Sequence, residues 1–280
     1  MLANIKFWEE KAQEGKYAIP HFNVWNAEML MGVIDAGEEA KAPIIISFGT
    51  GFVGNTSFED FSHMMVSMAE KASVPVITHW DHGRSLEIIQ NAYNHGMNSV
   101  MRDASAFDFE ENIRLTKEAV DYFHPLGIPV EAELGHVGQS EDYSSDVSDH
   151  FTKPEEVKKF VEETGIDCLA VAIGTAHGRY HGTPHIDFDL LKQITDVVDI
   201  PLVLHGGSGT GDENLRKAVK NGIQKVNLAT ELVVAGKEEL ETFIQDKNFD
   251  KWQLIPSFIK GYSDRLEHYV KLFDQENRAW

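Results

Sequence analysis

Eight short runs of aliphatic and β-branched residues recur along the 280-residue chain, at positions 17–24, 42–49, 75–81, 99–105, 129–135, 168–178, 201–209 and 225–231. Stretches such as Ile44-Ile45-Ile46 and Leu202-Val203-Leu204 are apolar at every position. A strand with one wet face alternates instead, so these runs fit parallel strands covered by helices. Amphipathic segments fill the gaps, at 27–40, 58–72, 85–95, 110–123, 154–164, 188–197 and 212–221. Eight such alternations predict an α/β fold of the (β/α)8 (TIM) barrel type, with an open doubly wound sheet as the alternative. Ala42-Pro43, Val74-Pro75, Ile128-Pro129 and Ile200-Pro201 mark strand starts, where a missing N–H is tolerated.

Two stretches break the rhythm. Residues 135–153, rich in Gly, Ser, Asp and Glu, are too long for an ordinary βα connection and read as an active-site loop. Residues 233–280 read as amphipathic helix with no ninth strand, so the expected organisation is one barrel domain over 1–280 with 233–280 as a C-terminal helical extension. The formal charge of -20 argues against a nucleic-acid partner, which needs clustered Lys and Arg. Cys168 is the single cysteine, so neither an intrachain disulfide nor a thiolate metal cluster can form, and a reducing compartment fits. The first ten residues turn acidic before an apolar segment accumulates, and no uncharged stretch is long enough to span a bilayer. The expected location is cytoplasmic, with no membrane partner.

In a barrel, chemistry sits at the C-terminal ends of the strands. Those ends carry His79-Trp80-Asp81-His82, Asp103-Ala104-Ser105, Glu131-Ala132-Glu133, His177-Gly178, His205-Gly206-Gly207-Ser208-Gly209 and Asn227-Leu228-Ala229-Thr230-Glu231. His82, His177 and His205 thus meet on one rim, and three imidazoles with an open position are the ligand set of a catalytic zinc ion, Zn2+, one per subunit. His79 is assigned to packing or to hydrogen bonding behind the ligands. Gly206, Gly207 and Ser208 precede one helix and Asn227, Leu228, Ala229 and Thr230 another, an arrangement whose backbone N–H groups bind phosphate without lysine. Asp81 stands beside a proposed ligand and suits proton transfer with a substrate hydroxyl. Asp103 and Glu133 are expected either to orient ligands or to offer an alternative metal position. Glu141, in the long loop, is the candidate second acid/base.

Taken in order, Phe22-Asn23-Val24, His79 to Gly83, Met101 to Ser105, Val130-Glu131-Ala132-Glu133-Leu134-Gly135, Ala172 to Gly178, Leu204 to Gly209 and Lys225 to Glu231 resemble the class II (zinc-dependent) fructose-bisphosphate and tagatose-bisphosphate aldolase family. The resemblance implies zinc on His82, His177 and His205, Asp81 as catalytic acid/base, and Gly178, Gly206 to Ser208 and Asn227 to Thr230 around a dihydroxyacetone phosphate portion, with Asn23 contacting a substrate hydroxyl. It further implies a monovalent cation (Na+ or K+) nearby, a homodimer or homotetramer, and a place in carbohydrate metabolism such as glycolysis. The expected reaction is cleavage of a ketose 1-phosphate or 1,6-bisphosphate into dihydroxyacetone phosphate and an aldehyde through a metal-stabilised enediolate. A Schiff base on Lys225 is a formal alternative route. A barrel metallohydrolase and a non-catalytic sugar-phosphate-binding homologue are the rival functions. Trp80, Arg102, Ala104, Gly49 and the Gly138-Gln139-Ser140-Glu141 run depart from the family's usual residues.

Overall fold

In the computed structural model, residues 1–52, 54, 56–138, 150–178, 180 and 184–280 are described. Eight parallel strands close on themselves in chain order: β1 (Ile19–Asn23), β2 (Ile44–Gly49), β3 (Val76–Gly83), β4 (Ser99–Arg102), β5 (Val130–Leu134), β6 (Cys168–Val171), β7 (Leu202–Leu204) and β8 (Lys225–Leu228), with β8 pairing back onto β1. The proline-marked starts hold: Pro43, Pro75, Pro129 and Pro201 each stand one residue before a strand. The strands are shorter than the apolar runs, because the last residues of several runs leave the sheet to form the mouth.

One helix, α1 (Ile5–Gly15), precedes β1, and the strands are separated by α2 (Ala27–Ala40), α3 (Phe58–Lys71), α4 (Leu86–Asn94), α5 (Phe109–Phe123), α6 (Pro154–Thr164), α7 (Phe188–Thr195) and α8 (Asp212–Lys220). Their starts are set by local chemistry. Ser57, Ser85, Asp108 and Asp187 each accept a hydrogen bond from the backbone N–H three residues on, satisfying donors that a helix start leaves open. After β8 the chain continues as α9 (Thr230–Phe243) and α10 (Leu254–Leu272), which pack on each other and, through α10, against α2. Gly261 lets α10 approach α9 closely, since a Cβ there would lie 2.7 Å from that of Glu239. Among the described residues, no helix is long and apolar enough to cross a membrane.

Side chains alternate across the barrel wall. Phe22, Ile44, Ile46, Phe48, Val76, Trp80, Val100, Leu169, Val171, Leu202, Leu204 and Val226 face the helices and form the main apolar core. The lumen is filled differently. Its floor is Ile19, Ile45 and Ile77 packed with Tyr17 and with Ile5 and Ala12 of α1. One wall is Met101, Cys168, Ala170 and Val203. The rest is polar and buried: His21, Ser47, His79, Ser99, Glu131 and Lys225. The helix α1, which the sequence pattern did not announce, closes the floor. Its inward stripe is Ile5, Glu9 and Ala12, so the fully buried Glu9 carboxyl enters the barrel from below.

Candidate active site

Strand alternation alone would turn His82 outward beside Trp80, since His79 and Asp81 face the lumen. The chain corrects this locally. His82 has a left-handed φ of 49°, and the β3–β4 register shifts between Trp80 and Gly83. This irregularity swings the imidazole back over the mouth, and such a conformation in a non-glycine residue is strained. Thr50, just after β2, ties the turn down by donating its hydroxyl to the His82 carbonyl at 2.7 Å.

The three predicted histidines converge. His82 Nε2 lies 3.2 Å from His177 Nε2 and 3.0 Å from His205 Nδ1. The outer nitrogens are tied to carboxylates: His82 Nδ1 lies 2.9 Å from Asp103 Oδ2, and His205 Nε2 lies 2.9 Å from Glu131 Oε1. A carboxylate only accepts, so each outer nitrogen carries the proton. The inner nitrogen of His205 is then bare and faces His82 Nε2, a contact satisfied by a cation, either a proton on His82 or a metal ion between the rings. Electrostatics agrees. Burial opposes charge on His82, yet Asp81, Asp103 and Glu133 outweigh it and push the imidazole up to about 9, so this spot attracts positive charge. His177 is driven down to about 3 by burial and then by His82 and His205, leaving it neutral, the state a metal ligand needs. The donor set, three imidazoles with an open side, fits zinc.

Those converging nitrogens, backed by carboxylates at the mouth of an eight-stranded barrel, agree with the sequence profile of class-II fructose-bisphosphate aldolases, which matches residues 3–278. The chain belongs to that family. It is an aldolase, a carbon–carbon lyase of the class II type. It is 61% identical to the YdjI protein of Escherichia coli K12 over 284 residues, covering the full length of both. The crystal structure of that YdjI aldolase superposes with a TM-score of 0.90 at 58% identity, again over all of both chains. A candidate fructose-1,6-bisphosphate aldolase structure from Coccidioides immitis reaches a TM-score of 0.86 at 30% identity, over 99% of this chain and 98% of that one.

Asp81 lies within this aldolase site and is held on both sides. Its Oδ2 accepts from Asn23 Nδ2 at 2.9 Å and its Oδ1 from Asn227 Nδ2 at 3.3 Å. Asn23 also donates to Ser47 Oγ at 2.9 Å, so the amide is fixed in turn. Burial alone would raise the Asp81 carboxyl, but His82, His21, His205 and Lys225 hold it well below the usual range, so it is ionised at neutral pH. Gly49 is required here, because a Cβ would come within 2.6 Å of the Asp81 carbonyl oxygen. Asp103 and Glu133 flank His82 closely enough to form a second potential donor group. Glu133 also accepts from the Val137 N–H at 2.9 Å, and burial followed by repulsion from Asp103 pushes its carboxyl up to about 8.

Two cavities meet at Asp81 and His177. A small one, about 50 Å3, is bordered by Gly178, Gly206, Ser208, Asn227, Leu228, Ala229 and Thr230, nearly the set expected around phosphate. Not every amide there is open: Gly207 N–H donates to the Asn227 carbonyl at 3.0 Å and Ala229 N–H to Ser208 Oγ at 3.1 Å. Gly207 also admits no side chain, since a Cβ would lie 2.6 Å from Val226. The larger cavity, about 790 Å3, runs past Trp25, Thr50, Phe52, Arg84, His136 and His150. Trp25 and Phe52 are stacked there with ring centroids 4.6 Å apart.

Glu141 and most of the long loop lie outside the described residues. Sequence reading did not identify Ser47, the Trp25–Phe52 wall or the partner of Lys225. That lysine is fully buried with its Nζ 2.8 Å from Glu131 Oε2. Burial lowers its pKa, but Glu131, Asp81 and Cys168 more than restore it, so the group is an ammonium and a poor Schiff-base nucleophile.

Proposed function

We propose that this aldolase reversibly cleaves a ketose 1-phosphate or a ketose 1,6-bisphosphate of the fructose or tagatose type into dihydroxyacetone phosphate and an aldehyde, using zinc on His82, His177 and His205. The observation that carries the reading is the convergence of three imidazole nitrogens beside a clamped, ionised Asp81. Bound there, zinc supplies a Lewis acid for charge developing at the ketose carbonyl oxygen. Asp81, with one lone-pair direction of each oxygen taken by Asn23 and Asn227, keeps others free to accept the C4 hydroxyl proton in cleavage and return it in condensation. The small cavity holds the phosphate end, on amides of the Gly206 to Ser208 and Asn227 to Thr230 turns and beside Gly178. Asn23 adds a contact to a substrate hydroxyl, and Glu141 carries the proton at the ketose carbon.

The larger cavity takes the aldehyde half. A monovalent cation (Na+ or K+) near the phosphate, a homodimeric or homotetrameric assembly and a cytoplasmic role in carbohydrate metabolism belong to the same proposal. A cleavage assay over a panel of ketose 1-phosphates and bisphosphates, with and without chelator, tests it by release of dihydroxyacetone phosphate. Cleavage that persists after the metal is stripped sinks it.

A further inference from the structure

Beneath the three histidines, Glu131 on β5 and Lys225 on β8 reach toward each other across the lumen. Neither side chain is exposed, and Nζ lies 2.8 Å from Oε2. Such a buried pair is weak as a stabiliser, because removing two charges from water offsets most of their attraction and apolar residues of similar volume often do as well. The proposed chemistry uses neither group. What the pair does is set which way the carboxylate faces. With Oε2 anchored on Lys225, Oε1 is left for His205 Nε2 at 2.9 Å. A carboxylate has no proton to give, so His205 must carry its proton at Nε2 and leave Nδ1 bare, facing His82 Nε2 at 3.0 Å. The other tautomer sets two acceptors 2.9 Å apart and puts a proton where a metal ion belongs. Asn227 Nδ2, 3.2 Å from Nε2 and 3.4 Å from Nδ1, lies too evenly between the ring nitrogens to choose one. His82 has its own carboxylate, Asp103, but that pair stands at the mouth with 21% and 12% of the side chains exposed. In the Glu131 contact neither side chain is exposed.

We propose that Glu131 and Lys225 are a positioning pair that locks His205 as an Nδ1 metal ligand before any cation arrives. This rests on the reading of His82, His177 and His205 as a metal site. Lys225 acts through Glu131, and Glu131 through His205; neither touches substrate.

The tautomer of His205 in the metal-free wild-type protein, read from its 15N imidazole shifts and assigned with a His205→Gln variant, is expected to be Nε2–H. An Nδ1–H form overturns the proposal whatever the variants do. In Glu131→Gln a single amide oxygen faces two donors, Lys225 and His205, and zinc affinity by chelator competition is expected to fall about 10–100-fold. Adding Lys225→Met frees that oxygen for His205, so the double variant is expected to bind zinc more tightly than Glu131→Gln alone. A Glu131→Gln protein within roughly threefold of wild type, or a double variant no tighter than the single, overturns the pair. Loss of aldol cleavage on every ketose would remove the substrate reading while leaving these readouts intact, and a wild type that takes up no zinc removes the metal site and the positioning role together.

Discussion

Outside the strands, Phe22, Trp80, Val130, Leu204 and Val226 pack against the helices in an almost wholly apolar layer. One position along the same strands, on the lumen side, stand His21, His79, Glu131, His205 and Lys225, all fully buried and all able to ionise. The outer layer follows the ordinary logic of burial, in which each apolar side chain removed from water contributes. The lumen accepts desolvation costs that the outer layer avoids, and what it obtains is orientation of the groups at the mouth. Stability and function are thus divided by the pleat of the strand, between residues that are neighbours in sequence.

The division breaks most sharply at Asp81. Asp81→Asn is expected to lower kcat/KM for cleavage by about 10³, or about 4 kcal/mol of activation free energy, while circular dichroism shows a folded barrel; turnover within tenfold of wild type would remove Asp81 as the base. On the other side of the wall, Leu204→Ala deletes a fully buried side chain. It should cost about 3 kcal/mol in chemical denaturation and leave zinc affinity near wild type. A large drop in zinc affinity there would mean that the two layers are not independent.

Glu9 tests the lumen by pH. Burial, then repulsion from Glu131, raises its carboxyl from 4.5 to about 8. Between those values the folded chain holds a proton that the unfolded chain has released, so stability declines as pH rises through that window. Glu133 shifts in the same direction and shares in the decline. Glu9→Gln should flatten Glu9's part and raise stability at pH 8 relative to wild type, on the order of 3 kcal/mol. An unchanged pH slope would show that Glu9 is not held neutral. The smallest effect belongs to the surface: Lys117 and Asp121 pair at 2.9 Å with both side chains more than half exposed. Lys117→Ala should change stability by only about 0.3 kcal/mol, below the shift expected at any buried site.

Much of the barrel was legible because its signals are local. The proline entries before β2, β3, β5 and β7 and the Ser and Asp caps of α3, α4, α5 and α7 act within a few residues. The histidine set was legible because three apolar runs end in the same residue type, although His177 lies beyond the end of β6 at Val171 and His205 just past β7 at Leu204. The helix α1 was not, since its short stripe of Ile5, Glu9 and Ala12 includes a carboxylate that reads as a solvent face. Nor could alternation foresee His82 turning inward, because the left-handed φ and the register shift answer to β4 rather than to β3 alone.

The amino-acid order by itself determined the repeat, the barrel and the residue types gathered at its mouth, because hydrophobic period and strand-end position are properties of short windows. Tertiary structure decided which nitrogen of His205 is bare, which carboxylate is clamped and which carries a raised pKa. Those depend on partners such as Glu131 and Lys225, 94 residues apart, meeting where neither side chain is exposed to solvent. Charge interactions are strong only where solvent is excluded, and exclusion exists only once the barrel has closed.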